Sequence, residues 1–137
     1  MDRKILILGL TFAALSVLLG AFGAHALKSM VQEDKLQIFE IGVRYQFMHT
    51  IALITLAIYC QQQHLSILEQ KWIGWAAHFF IAGTLFFSGS LYFLTLLSAT
   101  NHPLIRFIGP ITPLGGLCFI LGWYFWLRVV YLKKVDK

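Results

Sequence analysis

The chain has 137 residues, of which 58% are hydrophobic and only 12% charged, and its formal net charge is +5. A soluble domain carries about 25% charged residues, so the composition predicts an integral membrane protein of one domain. The basic excess lies at the ends of apolar segments, where membrane topology accounts for it, and no nucleic-acid partner is expected. Cys60 and Cys118 both sit in apolar runs without metal-like spacing, which argues against a structural disulfide or zinc site.

The first apolar segment runs from Ile5 to about residue 25. Ala24-His25-Ala26 resembles a signal-peptidase site, but an apolar run of this length exceeds the roughly 7–15 residues of a signal-peptide core. An uncleaved helix is expected. Gly9, Ala13, Ser16, Gly20 and Gly23 fall on one stripe, and small stripes let membrane helices approach closely. Lys28 to Phe39 reads as a loop, with a short interfacial helix placing Glu33, Asp34 and Lys35 among headgroups.

The second segment spans about 40–60. Its purely apolar part, Thr50 to Cys60, is too short for a bilayer, which needs roughly 20 helical residues. Extending it back to Glu40 brings Arg44, Tyr45, Gln46 and His49 into the membrane. Tyr45, Gln46 and His49 share one helical face, whereas Arg44 points towards Glu40. Polar side chains at this depth are costly unless they face protein or water. Two readings stay open: a functional polar site, or interhelical hydrogen bonds that only hold the bundle together.

Gln61 to about Lys71, with His64, reads as a polar loop. The third segment spans about 72–97. Gly74, His78, Ile81, Leu85, Ser88, Tyr92 and Thr95 repeat at four-three spacing, predicting an inward polar face with Phe79, Phe86 and Phe93 towards lipid. Asn101, His102, Pro103 and Arg106 form a third loop. The fourth segment spans about 109–131 and begins with Pro110, Thr112, Pro113, Gly115 and Gly116, where close packing or distorted turns are expected. Trp123, Tyr124 and Trp126 suit an interfacial belt.

Four such segments predict an all-α, four-transmembrane-helix up-and-down bundle with both termini on one side. That side would hold Arg3, Lys4, Lys71, Arg128, Lys133, Lys134 and Lys137, against Lys28, Lys35, Arg44 and Arg106 on the other. The bias places both termini in the cytoplasm. His25, Arg44, Tyr45, Gln46, Ser88, Ser90, Tyr92 and Thr112 then lie towards the outer half and, with His49, form a candidate polar intramembrane cluster.

No buried acid pair, metalloprotease motif, phosphate loop or nucleophile elbow occurs in the sequence, so no catalytic or metal-ligating residues and no enzyme activity are expected. Ser88-Gly89-Ser90 reads as packing. A bis-histidine haem is not expected either, and no cofactor is assigned. His49 lies roughly 13 Å from the outer end of its helix, and His78 roughly 9 Å from the opposite face, at about 1.5 Å per residue. They are not level across a core about 30 Å thick.

Four stretches together resemble the YgdD-like family of small bacterial inner-membrane proteins: Leu19 to Leu27 (LGAFGAHAL), Tyr45-Gln46 with His49, Phe87 to Tyr92 (FSGSLY), and Ile111 to Gly116 (ITPLGG). A small mitochondrial transmembrane protein looks related. The resemblance covers nearly the whole chain and implies a four-helix inner-membrane protein; it names no catalytic residues. The expected partners are the lipid bilayer and other membrane proteins or a second copy of the chain. The expected role is a non-enzymatic accessory or assembly partner. A small-solute or proton pathway, and lipid-headgroup or quinone binding at the outer leaflet, are the alternatives.

Overall fold

The computed structural model describes residues 2–98 and 103–135. Asn101 and His102, expected in a loop, lie outside them. Four long helices carry the chain: α1 (Asp2–His25), α2 (Glu33–Gln62), α3 (Ile67–Ser98) and α4 (Ile111–Val135). Each is long and apolar enough to cross a membrane, and no strand occurs among the described residues. Ile5 at the start of α1 and Val129 near the end of α4 lie in one core cluster, so α1 begins and α4 ends at the same face of the bundle. That face is called the terminal face below, and the opposite one the loop face.

Two helices start earlier than their apolar runs. The expected interfacial segment is instead a single 3-10 turn, Leu27–Ser29, followed by the first turns of α2. Glu33 and Asp34 occupy the first turn, where acidic side chains complement the helix dipole. Leu36 and Phe39 bury themselves against Leu27, which offsets the cost of ordering those turns. Similarly, α3 starts at Ile67 because Ser66 and Glu69 form a capping box: Ser66 Oγ accepts from the Glu69 N–H, and the Glu69 carboxylate accepts from the Ser66 N–H. Glu69 is a buried cap, not a loop residue.

Glycines decide how closely the helices approach. The small-residue stripe of α1 meets α2; a Cβ on Gly9 would lie 2.8 Å from Ile54 Cγ1, and one on Gly23 3.2 Å from the Phe39 ring. On the other side, Phe119 of α4 sits over Gly83, and Phe80 of α3 over Gly122. α1 packs almost wholly on α2, and α3 on α4, with α2 and α3 joining the pairs.

The inward face of α3 differs from the expected stripe. Thr84–Ser88 is a π-helical segment, which takes up one extra residue within the helix. Up to its first residue the buried positions include Ile73, Ala77, Phe80 and Thr84; from its last residue onwards they are Ser88, Ser90, Leu91 and Thr95. The regular four-three stripe is therefore out of phase in the first half, where His78 and Leu85 are exposed and His78 bonds the Gly74 carbonyl one turn back. Phe86 and Phe93 are exposed as expected, but Phe79 stacks on Phe125 of α4 at 5.3 Å.

Candidate functional site

The buried polar groups form three separate sets. In the first, Gln46 uses both ends of its amide. Its Nε2 donates to the Phe12 carbonyl of α1 at 3.0 Å, and its Oε1 accepts from the Tyr92 hydroxyl of α3 at 2.9 Å. Gln46 thereby ties three helices together. Gly42, one turn earlier, makes room for the tyrosine; a Cβ there would lie 2.8 Å from Tyr92 Cε1.

The second set joins α3 to α4. Ser90 Oγ lies 2.7 Å from Thr112 Oγ1 and 2.9 Å from the Phe87 carbonyl. Ser88 and Thr50 are fully buried; the Thr50 hydroxyl has no hydrogen-bond partner among the described residues, and the Ser88 side chain stands beside Tyr92.

The third set surrounds His49. Its Nδ1 donates to the Tyr45 carbonyl at 2.8 Å, and its Nε2 accepts from Trp123 Nε1 at 3.3 Å. One nitrogen donates and the other accepts, which is the pattern of a neutral imidazole. The ring stacks on Phe119 with centroids 3.5 Å apart and planes 9° from parallel. Trp123 itself stays about half exposed, 48%, with its indole N–H turned to His49.

His49 stands at the floor of a lateral groove between α2 and α4. The groove has a volume of about 940 Å³ and is lined by Tyr45, Met48, Phe87, Gly116, Phe119 and Trp123, among others. Gly116 holds part of it open, since a Cβ there would meet only the Phe87 ring at 3.9 Å. Its neighbour Gly115 cannot accept a Cβ: it would fall on the Phe87 amide nitrogen and 2.7 Å from Phe87 Cα. This backbone contact holds α4 against the π segment of α3.

Gln46 and His49 are thus buried, at 5% and 6% exposure, while Tyr45 is 39% exposed along the groove. The Tyr45 ring lies 4.6 Å from Phe87, and its hydroxyl makes no hydrogen bond among the described residues. His25 and Arg44 are exposed and stand apart from all three sets. Arg44 makes no ion pair with Glu40. The single polar pocket inferred from depth is in fact three sets, because the rotation of each helix separates residues of similar depth. Phe119 and Trp123 were missed. Their signal was available: Gly116, Phe119 and Trp123 share one helical face by their three-four spacing.

This arrangement defines a four-span, multi-pass membrane protein, stitched by interhelical hydrogen bonds and with a lateral groove beside His49. The chain matches the model of a family described as proteins of unknown function (DUF423) over residues 19–116. That range includes Tyr45, His49 and Gly116 and ends before Phe119. The chain is 39% identical over 121 residues to a UPF0382 membrane protein of Staphylococcus saprophyticus, covering 88% of this chain and 91% of the relative. It is 40% identical over 118 residues to the UPF0382 inner membrane protein YgdD of Escherichia coli K12, covering 83% and 82%. No solved structure matches it. The chain belongs to this family of YgdD-like inner-membrane proteins.

Proposed function

We propose that the protein is a non-enzymatic, membrane-embedded binding protein. Its ligand is a flat, lipid-soluble ring with hydrogen-bonding oxygens, of the quinone class, taken from the bilayer into the groove between α2 and α4. The observation that carries this reading is the composition of the groove. Tyr45, His49, Phe87, Phe119 and Trp123 present five rings, and flat rings pair with flat rings in stacked or tilted arrangements. Polar atoms stand among them: the Tyr45 hydroxyl, which has no partner among the described residues, and the long Trp123–His49 hydrogen bond. A saturated acyl chain has no use for these groups. A ring oxygen accepts from the tyrosine or the indole.

A role in assembly with another membrane protein is a second reading. It is supported by α1, which packs almost wholly on α2 and leaves Ile7, Leu10, Val17 and Leu18 exposed. A solute or proton pathway gains no such support. The buried amide, hydroxyl and imidazole groups are largely bonded to one another or to carbonyls. Between them and the terminal face lie Leu53, Leu56, Ile73 and Phe80, all fully buried.

The test is extraction in native lipid with a disc-forming polymer, followed by mass spectrometry of the organic extract. The native chain should retain a ring-bearing lipid-soluble compound. Gly116→Leu, which fills the groove, should lose it while keeping its melting temperature. Extracts of both proteins holding only phospholipid would refute the proposal.

A further inference from the structure

A second groove lies on the lipid-facing side of the α1–α2 pair. It has a volume of about 330 Å³ and is lined by Gly20 and Gly23 of α1 and by Phe39, Glu40, Val43, Arg44 and Phe47 of α2. Its walls are apolar apart from two opposite charges one helical turn apart. Both are exposed, and neither is paired with the other or with any described residue.

An unpaired arginine facing lipid is costly at depth. Here the geometry relieves it. α2 starts at the loop face, and side chains on a helix lean towards its N-terminus. Arg44 therefore reaches along the groove towards the headgroups, as long cationic side chains do near helix ends. The backbone of Glu40 stands about 6 Å nearer the loop face, at about 1.5 Å of rise per residue. By backbone order along α2 the groove offers, passing outwards, an apolar cleft, then Arg44, then Glu40.

We propose that this groove binds a phospholipid whose headgroup carries a phosphate and, farther out, a primary ammonium. The acyl chain lies in the cleft between the two glycines and Phe47, the phosphate meets Arg44, and the ammonium meets Glu40. The order of charges on the protein matches the order of opposite charges on the lipid. It distinguishes among headgroups. An anionic headgroup with no amine, such as a glycerol, satisfies Arg44 through its phosphate but brings no cation to Glu40. A quaternary ammonium has no N–H to donate to the carboxylate, whereas a primary ammonium has three. Arginine also suits the phosphate, since its planar fork donates two parallel hydrogen bonds. The inference is independent of the α2–α4 groove, which lies on a different helix pair.

The experiment is native mass spectrometry of the full chain after reconstitution in an equimolar mixture of phosphatidylethanolamine, phosphatidylglycerol and phosphatidylcholine. The ethanolamine lipid should be enriched about fivefold over phosphatidylglycerol, the factor expected from one charge near a membrane surface, and also enriched over phosphatidylcholine, whose ammonium has the charge but no N–H to donate. Glu40→Gln should abolish that preference over phosphatidylglycerol while total bound lipid persists. Arg44→Gln should reduce bound lipid of every kind. Both side chains are exposed, so the melting temperature in detergent should not move. Equal retention of the three lipids by the native chain would overturn the proposal. So would a preference unchanged in Glu40→Gln.

Discussion

The Tyr92 hydroxyl donates to Gln46 Oε1 at 2.9 Å, while the same amide donates to the Phe12 carbonyl of α1. One side chain on α2 thus holds α1 and α3 in fixed rotation about itself. Removing one partner of a buried pair leaves the other without a hydrogen bond, at a cost of about 1–3 kcal/mol. In a membrane the coupling between two such residues is smaller, because the loosened chain finds other partners. A double-mutant cycle of Gln46→Leu and Tyr92→Phe, read by unfolding in mixed detergent, should give a coupling of about 0.6–1.7 kcal/mol. Strict additivity would contradict the bond.

Gly115 and Gly116 are neighbours with opposite expected behaviour. A methyl group at Gly115 meets the Phe87 backbone, which cannot yield without moving a helix. Gly115→Ala should lower the yield of folded protein or cost roughly 1–3 kcal/mol, the usual range for overpacking. Gly116→Ala places its methyl in ordinary contact with the Phe87 ring and should leave the melting temperature unchanged. Equal tolerance at both positions would mean that α4 does not rest on the π segment.

His49 makes three contacts of different kinds: a bond to a carbonyl, a bond from an indole, and a stack on Phe119. His49→Phe keeps an aromatic ring for the stack and leaves Trp123 without its acceptor, so it should cost about 1–3 kcal/mol. His49→Gln keeps a group able to accept but loses the stack. A combined variant, His49→Phe with Trp123→Phe, should recover part of the loss, because no indole donor is left without its acceptor. If the pair melts lower than His49→Phe alone by the full cost of Trp123→Phe, the Trp123–His49 bond contributes nothing.

Much of the fold was legible in the sequence. Three apolar runs of spanning length, a fourth that reaches that length once extended back to Glu40, and their polar separators give the number and order of the helices. The starts of α2 and α3 were not legible by hydropathy. Glu33, Asp34 and Glu69 look like loop charges, whereas the first two occupy a first turn and the third closes a cap. The inward face of α3 was out of phase because nothing in a regular repeat announces the π segment at Thr84–Ser88. In the site, depth found Gln46, Tyr92, His49, Ser90 and Thr112, since a polar group in a membrane needs a protein partner. Depth did not fix rotation, so it grouped exposed Arg44 and His25 with them. The groove itself is a property of the distance between α2 and α4, and no single residue encodes it.

Topology supplies a further test. The distribution of lysines and arginines predicts that both termini lie in the cytoplasm. Reporters fused after Lys137 or inserted between Gln63 and Ser66 should read cytoplasmic, and one inserted between Met30 and Gln32 external. An external C-terminus would move the Glu40–Arg44 groove to the cytoplasmic leaflet.

The central claim is that the groove beside His49 takes a quinone-class ring, and Trp123 reports on it directly. A short-tailed quinone should be titrated into the protein in lipid nanodiscs, with tryptophan fluorescence as the readout. Because Trp72, Trp75 and Trp126 also emit, the Trp123→Phe variant should be titrated in parallel and subtracted. The account predicts that the Trp123 component is quenched saturably, at one equivalent per chain, and that Gly116→Leu abolishes the saturable phase without changing the melting temperature. Quenching that rises linearly with quinone, and equally in both proteins, would contradict it.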